Sequence, residues 1–234
     1  MNKMILAAIL FVMLGILSVI MHHRNGLREV RFDGIRWAEN RPRLIAQDSV
    51  NKLLKLALSD STSAFKSGLN LRNIEQTLNQ NNWVKNAQSY VSIDGGIGVH
   101  VTSKLPIVRV EGDSSYYIDA SGVPFPLSKN ESVAAPIFYG NPTAHQRLLI
   151  VDAAQKTAAD TFMSNHIVAY EWLPEGLAME PRKESYQIVL GTPNQLEKKF
   201  KNYKAFYAKM QDSTVLKTYK QVNLSFHGQV VCSK

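Results

Sequence analysis

The sequence predicts an α+β protein that is attached to a membrane by one N-terminal helix. Residues 4–21 form an unbroken apolar run without a charge or a proline. Short alternating strands and amphipathic helices follow in two regions, residues 27–111 and 112–234. About 210 residues come after the run, which is enough for one large or two small domains with their own cores.

The apolar run has the length and composition of a membrane anchor. As a helix, Met4–Met21 would be about 27 Å long, close to the roughly 30 Å of a hydrocarbon core. A buried core helix would carry a polar stripe, whereas this run has only Ser18. A cleaved signal peptide is the main alternative, although its apolar part is usually shorter and ends at a small-x-small site. We expect an uncleaved anchor in the lipid bilayer, preceded by a short tail, residues 1–3.

The charges that flank the run do not decide which way it crosses. Lys3 and the amino terminus lie on one side, and Arg24, Arg28 and Arg31 lie on the other. Counting alone places the N-terminus outside, but long domains translocate largely regardless of flanking charge. Both orientations stay open on this ground.

The first region predicts the element order β-α-α-β-β. A strand covers Leu27–Gly34, and helices begin near Asp48 and after a cap at Asn70. Two strands meet at Gly95-Gly96, which can supply the positive φ values of a tight hairpin. A further strand, Ile107–Glu111, ends this region.

The second region predicts a mixed sheet with two helices. One helix covers Ala144–Met163, and the other begins at Thr192-Pro193 and turns the lysines of residues 198–204 to solvent. Strands are expected at 116–118, 166–173, 177–180 and 186–190. The last strand is Tyr219–Cys232, with Val222, Leu224 and Phe226 on one face and a bend at Gly228.

The composition argues against several kinds of chemistry. The net charge of +8 is spread along the chain, so no nucleic-acid-binding stripe is indicated. The single cysteine, Cys232, excludes an internal disulfide framework and a cysteine-rich zinc site. His22 and His23 point in different directions on a helix, so we expect no metal there. No catalytic constellation or phosphate-binding loop is evident, and we expect no cofactor.

The order of several short motifs resembles one bacterial family. Glu29–Gly34 resembles its opening strand, and Asn82–Ala87 resembles the exit from its second helix. Leu105–Val110 resembles its apolar-Pro-x-x-Arg strand, and Tyr117-Ile118-Asp119-x-x-Gly122 is similar to a further signature. Val222-Asn223-Leu224 with Gly228–Val231 resembles its closing strands. The family is the bacterial cell division family FtsQ, also called DivIB.

This resemblance implies a fold, a place and partners. It implies a polypeptide-transport-associated (POTRA) module over 27–111 and the family's β domain over 112–234. It implies a cytoplasmic N-terminus, with both domains outside the cytoplasm, in the inner membrane at the division septum. It implies a non-catalytic scaffold of the divisome that binds FtsB and FtsL and links early to late division proteins. Asn223 and Ser225 stand where the family often has an acidic and then a basic residue, so a charge pair is not expected there.

The last strand is the predicted partner-binding site. A strand at the edge of a sheet exposes unpaired backbone groups, to which an extended segment of FtsB can add. The alternative is that this strand is interior to its sheet or pairs only with itself. The residues of the predicted site are Tyr219, Lys220, Gln221, Val222, Asn223, Leu224, Ser225, Phe226 and His227.

Three other functions stay open from the residues alone. A POTRA-containing assembly or secretion factor would carry alternating barrel segments, of which none is evident after Glu111. A membrane-tethered enzyme would need a convergent set of reactive groups in a pocket. A cleaved, secreted binding protein would lack the anchor in its mature form.

Overall fold

The structure, a computed structural model, describes residues 3–26, 31–59, 70–92 and 95–234. The chain divides into two compact units, Met1–Lys104 and Leu105–Lys234. Both helices and strands build these units, so the predicted α+β class with an N-terminal apolar helix is confirmed.

Helix α1, Lys3–Gly26, contains the apolar run and continues beyond Met21. Its segment Ala7–Arg24 is long and apolar enough to cross a membrane, and none of that segment is buried in the protein. A helix that exposes aliphatic side chains along its whole circumference is stable in lipid rather than in water.

The N-terminal unit then follows the predicted β-α-α-β-β order. Strand β1 lies parallel to β3, β2 lies antiparallel to β3, and the sheet order is β1-β3-β2. The elements are β1 (Arg31–Trp37), α2 (Gln47–Ser59), α3 (Leu71–Asn79), β2 (Val84–Val91) and β3 (Gly96–Ser103).

Part of the predicted detail of this unit falls outside the described residues. Leu27–Val30 and most of the serine-rich loop, 60–69, cannot be compared, nor can Ile93 and Asp94. Gly95 has the predicted positive φ, at 93°, but Gly96 does not and instead begins β3.

One face of the small sheet packs against the two helices. Alternation along β3 turns Ile97, Val99 and Val101 inward, and each is at most 1% exposed. Leu54 and Leu78 meet them from α2 and α3. The predicted cap is confirmed, because the side chain of Asn70 accepts a hydrogen bond from the backbone of Asn73 at 3.1 Å.

Two glycines of β3 let side chains cross the other face of the sheet. A Cβ at Gly96 would meet the carboxylate of Asp33, which accepts a hydrogen bond from Ser92 Oγ at 2.8 Å. A Cβ at Gly98 would meet the ring of Tyr90, over which the guanidinium of Arg36 lies at 5.4 Å. These side chains join the two outer strands across the central one.

The C-terminal unit is built on one nine-stranded sheet. The strand order is β12-β11-β10-β9-β8-β7-β4-β5-β6. The strands are β4 (Val108–Glu111), β5 (Ser115–Ile118), β6 (Pro124–Pro126), β7 (Ile137–Tyr139), β8 (Ile167–Leu173), β9 (Gly176–Pro181), β10 (Gln187–Gly191), β11 (Gln221–Asn223) and β12 (Val231–Ser233). The helices are α4 (Ala144–Ala159), α5 (Thr161–His166), α6 (Leu196–Met210) and a 3₁₀ turn, Leu216–Thr218.

Three predicted boundaries in this region are wrong. Strand β4 pairs with β5 and β7, so the first unit ends at Lys104 rather than at residue 111. The predicted helix 144–163 breaks at Asp160, whose side chain caps α5 through the amides of Phe162 and Met163. The helix expected from Thr192 begins at Leu196, after Gln195 in the left-handed region.

A chain of buried hydroxyl and imidazole groups lies in the core of this unit. His166 Nε2 lies 2.6 Å from Tyr203 Oη, which lies 2.9 Å from Tyr186 Oη. The rings of Phe162 and Tyr207 also contact His166. Burial lowers the pKa of His166, while the nearby charge of Glu184 acts in the opposite direction. Neutral His166 therefore suits this site, where its Nε2 and the hydroxyls of Tyr203 and Tyr186 pair with one another.

Candidate functional site

The two edges of the nine-stranded sheet differ in what they offer to another strand. At the β6 edge, Asp119 donates its N–H to Val123 C=O at 3.1 Å. The backbone N–H and C=O groups of odd-numbered residues on the β6 side of this pair therefore point toward β5. Because these groups alternate along a strand, the outward positions of β6 are Pro124 and Pro126. Proline has no N–H, so this edge presents no donor over the length of β6.

At the other end of the sheet, β11 lies between two strands. It pairs in parallel with β10 and antiparallel with β12. Leu224 donates its N–H to Val189 C=O at 2.8 Å, and Gln187 donates to Lys220 C=O at 2.9 Å. The prediction that the strand within residues 219–227 forms the open edge is therefore wrong.

The open edge is Val231–Ser233. Even-numbered residues of β11 bond to β10, so Gln221 and Asn223 direct their backbone groups to β12. Their register partners are Ser233 and Val231. Alternation then turns the N–H and C=O of Cys232 away from the sheet, where a further strand can bind.

The predicted site residues fall into a buried and an exposed set. Val222 and Leu224 are at most 2% exposed and fix β11 to the core, whereas Phe226, expected on the same face, is 52% exposed. Asn223 Oδ1 accepts hydrogen bonds from the N–H and Oγ of Ser225, which begins the turn. The ring of Tyr219 packs near Phe206. Half-buried Gln221 and exposed Lys220, Ser225 and His227 complete the segment.

A basic depression lies beside this turn. Its volume is about 560 Å³, and Lys198, Lys201, Phe226 and His227 are among the residues that line it. Lys199 also lines it, contrary to the prediction that the whole lysine run is a solvated face. Its Nζ donates to the carbonyl oxygens of Leu190 and Thr192 at 2.7 and 2.6 Å, and burial lowers its pKa.

The part of the chain that carries this edge matches a protein family model. A family model described as "FtsQ/DivIB, C-terminal related" matches residues 105–233, more than half of the chain. The chain belongs to the FtsQ/DivIB family. The match begins at Leu105, where the C-terminal unit begins. A search of curated proteins found no match.

Membership of the FtsQ/DivIB family makes this a cell division protein. The apolar helix α1 and the family together fit a single-pass membrane protein of the division site. Among the side chains that the structure describes, no group of three or more His, Cys, Asp or Glu could hold a metal ion.

Sequence reasoning missed Val231, Cys232 and Ser233 as the edge of this FtsQ/DivIB domain. The alternation through Phe226 suggested one continuous strand, but the chain turns at Gly228, where φ is 68°. The available signal was the glycine itself, because a positive φ ends a strand and returns the chain. Gly228 was expected only to bend the strand.

Proposed function

We propose that this protein is a non-catalytic, single-pass scaffold of the divisome. In this proposal FtsB, together with FtsL, binds outside the cytoplasm by adding a strand to the open edge, and the protein links early to late division proteins. The observation that carries the proposal is the outward N–H and C=O of Cys232 on a sheet whose other edge is blocked by two prolines.

The open edge offers both main-chain bonds and a choice of side chains. A partner strand would exchange hydrogen bonds with Cys232, and its alternate residues would lie beside Val231 and Ser233. Val231 is 43% exposed and Phe226, in the nearby turn, is 52% exposed. We expect the FtsB strand to place apolar side chains beside these two residues.

The predicted residues Tyr219–His227 support that edge in our proposal. Burying Val222 and Leu224 contributes roughly 1.5–3 kcal/mol for each side chain, which holds β11 in place beside β12. A rigid edge costs less ordering free energy on binding than a frayed one. The exposed turn residues, Ser225–His227, lie where a partner chain would leave the edge.

The membrane gives the second part of the mechanism. We propose that residues 1–3 are cytoplasmic and that both units lie outside, with 27–104 as the POTRA module and 105–234 as the β domain. Confinement of both partners to one membrane raises their effective concentration, so a short strand pairing is sufficient for binding. The inner membrane at the septum is the proposed location.

The test compares two changes at one outward position. Cys232→Pro removes the outward N–H and puts a ring in its place, without removing a donor to β11. Cys232→Ser keeps the N–H and a side chain of similar size. With the full chain in nanodiscs, we expect the proline variant to bind the extracytoplasmic segment of FtsB about tenfold more weakly, from one lost bond and the added bulk.

The serine variant should bind FtsB within about twofold of the parent, because side-chain changes at partly exposed sites away from a bond have small effects. Thermal unfolding of both variants establishes that they fold. A folded Cys232→Pro protein that binds FtsB as tightly as Cys232→Ser would refute the proposed site.

A further inference from the structure

The small sheet of the N-terminal unit also has two edges, and one of them is closed by α3. Outward amides of β2 donate to side chains of that helix. Ala87 N–H bonds to Asn79 Oδ1 at 2.8 Å, and Ser89 N–H bonds to Glu75 Oε1 at 2.8 Å. A strand that approached β2 would have to displace both side chains, so this edge is unsuitable for pairing.

The β1 edge has the opposite character. Ala38 donates its N–H to Val101 C=O at 3.0 Å, so the backbone groups of Arg36 also face β3 and those of Ile35 and Trp37 face outward. No hydrogen bond to these outward groups comes from residues 3–26, 31–59, 70–92 or 95–234. The side chains of Ile35 and Trp37 both pack against the core, which fixes β1 in position.

The chain holds this edge close to the membrane. Only four residues separate Gly26, the end of α1, from Arg31, the start of β1. That connection spans at most about 18 Å. Every copy of the chain therefore carries the same edge within that short distance of its anchor helix, which makes a second copy in the same bilayer a well matched partner for it.

We propose that two copies of this chain pair through β1. The two-fold axis passes between the two Ile35 residues, each of which donates its N–H to the other's C=O. This antiparallel register places Gly34 opposite Arg36. A register centred one residue later would place Arg36 opposite Arg36, which like charge disfavours. The axis lies along the membrane normal, so β1 runs along the membrane surface.

This pairing does not use β12, so each copy in the dimer keeps its open edge. The proposal is independent of the function proposed above, and FtsB is absent from its test. A strand pair of this length is weak in solution. Anchoring in one bilayer supplies the effective concentration that makes it stable.

The first test is cysteine cross-linking of the full chain in liposomes, in a Cys232→Ser background. Paired positions in an antiparallel ladder have Cα atoms about 5.5 Å apart, within the range of a disulfide. We expect Ile35→Cys to give several times more disulfide dimer than Gln88→Cys, which lies on the closed edge. Equal yields at the two positions, when the lipid is in large excess, would overturn the proposal.

The second test measures energy transfer between donor- and acceptor-labelled full chains in the same liposomes. Ile35→Pro removes both hydrogen bonds of the central pair and should weaken the dimer about tenfold, whereas Ile35→Val should leave it unchanged. Circular dichroism establishes that both variants fold. Unchanged transfer in a folded Ile35→Pro protein would assign association to another surface. If that variant does not fold, the cross-linking yields decide.

Discussion

Replacing Tyr203 with phenylalanine should destabilise the C-terminal unit more than the same change at Tyr186. Tyr203 Oη is the middle group of a buried chain, 2.6 Å from His166 Nε2 and 2.9 Å from Tyr186 Oη. Tyr203→Phe leaves both neighbours without a partner. Tyr186→Phe leaves Tyr203 still bonded to His166.

The magnitudes follow from the number of groups left unpaired. A buried polar group that loses its partner costs about 1–3 kcal/mol, so two such groups predict about 2–6 kcal/mol for Tyr203→Phe. Tyr186→Phe removes one hydrogen bond, and Tyr203 Oη keeps His166 as its partner. We therefore predict a loss of about 1 kcal/mol for Tyr186→Phe. In the double variant only His166 is left unpaired, so its loss should be smaller than the sum of the single losses.

Urea unfolding in detergent micelles measures these losses in the full chain. Trp172 lies in the C-terminal unit, and Trp37 and Trp83 lie in the other. With the latter two changed to phenylalanine, fluorescence follows the C-terminal unit alone. Equal losses for Tyr203→Phe and Tyr186→Phe, or strictly additive losses in the double variant, would refute the argument from unpaired groups.

Two further predictions concern pH and packing. Because the pKa of His166 is lowered in the folded protein, the unfolded chain binds more protons, and stability should fall as the pH drops below about 6.5. His166→Asn should reduce that dependence and exposed His145→Asn should not, as pH-dependent unfolding curves can check. Gly98→Ala should cost about 1–2 kcal/mol, because its Cβ would displace the ring of Tyr90 from beneath Arg36. Its cost should largely disappear in a Tyr90→Ala background, which a double-mutant cycle measures.

The elements that the sequence predicted well are those set by local patterns. The cap at Asn70 and the alternation of Ile97, Val99 and Val101 depend on neighbouring residues, and both are found. The anchor helix is also a local property, since a long apolar run has one stable structure in lipid. The family resemblance, confirmed over residues 105–233, depended on the order of motifs along the whole chain.

The errors concern which strands become neighbours. Val108 and Val110 alternate in the same way whichever sheet they join, so their membership of the large sheet could not be read locally. Phe226 fits the alternation of Val222 and Leu224, yet it is exposed in the turn at Gly228, and that turn lets β12 pair with the edge of β11. Strand pairing is a long-range property, so the open edge of a sheet can be identified only from the three-dimensional structure.

Hydrogen exchange at the amide of Cys232 tests the central claim most directly. The full chain in nanodiscs is compared with and without a saturating amount of the extracytoplasmic segment of FtsB. We predict that the outward amide of Cys232 exchanges quickly in the free protein and at least about tenfold more slowly in the complex, because it gains a backbone partner. The amide of Asn223, which already faces β12, should exchange slowly in both. Unchanged exchange at Cys232 in an FtsB-saturated sample would contradict strand addition at this edge.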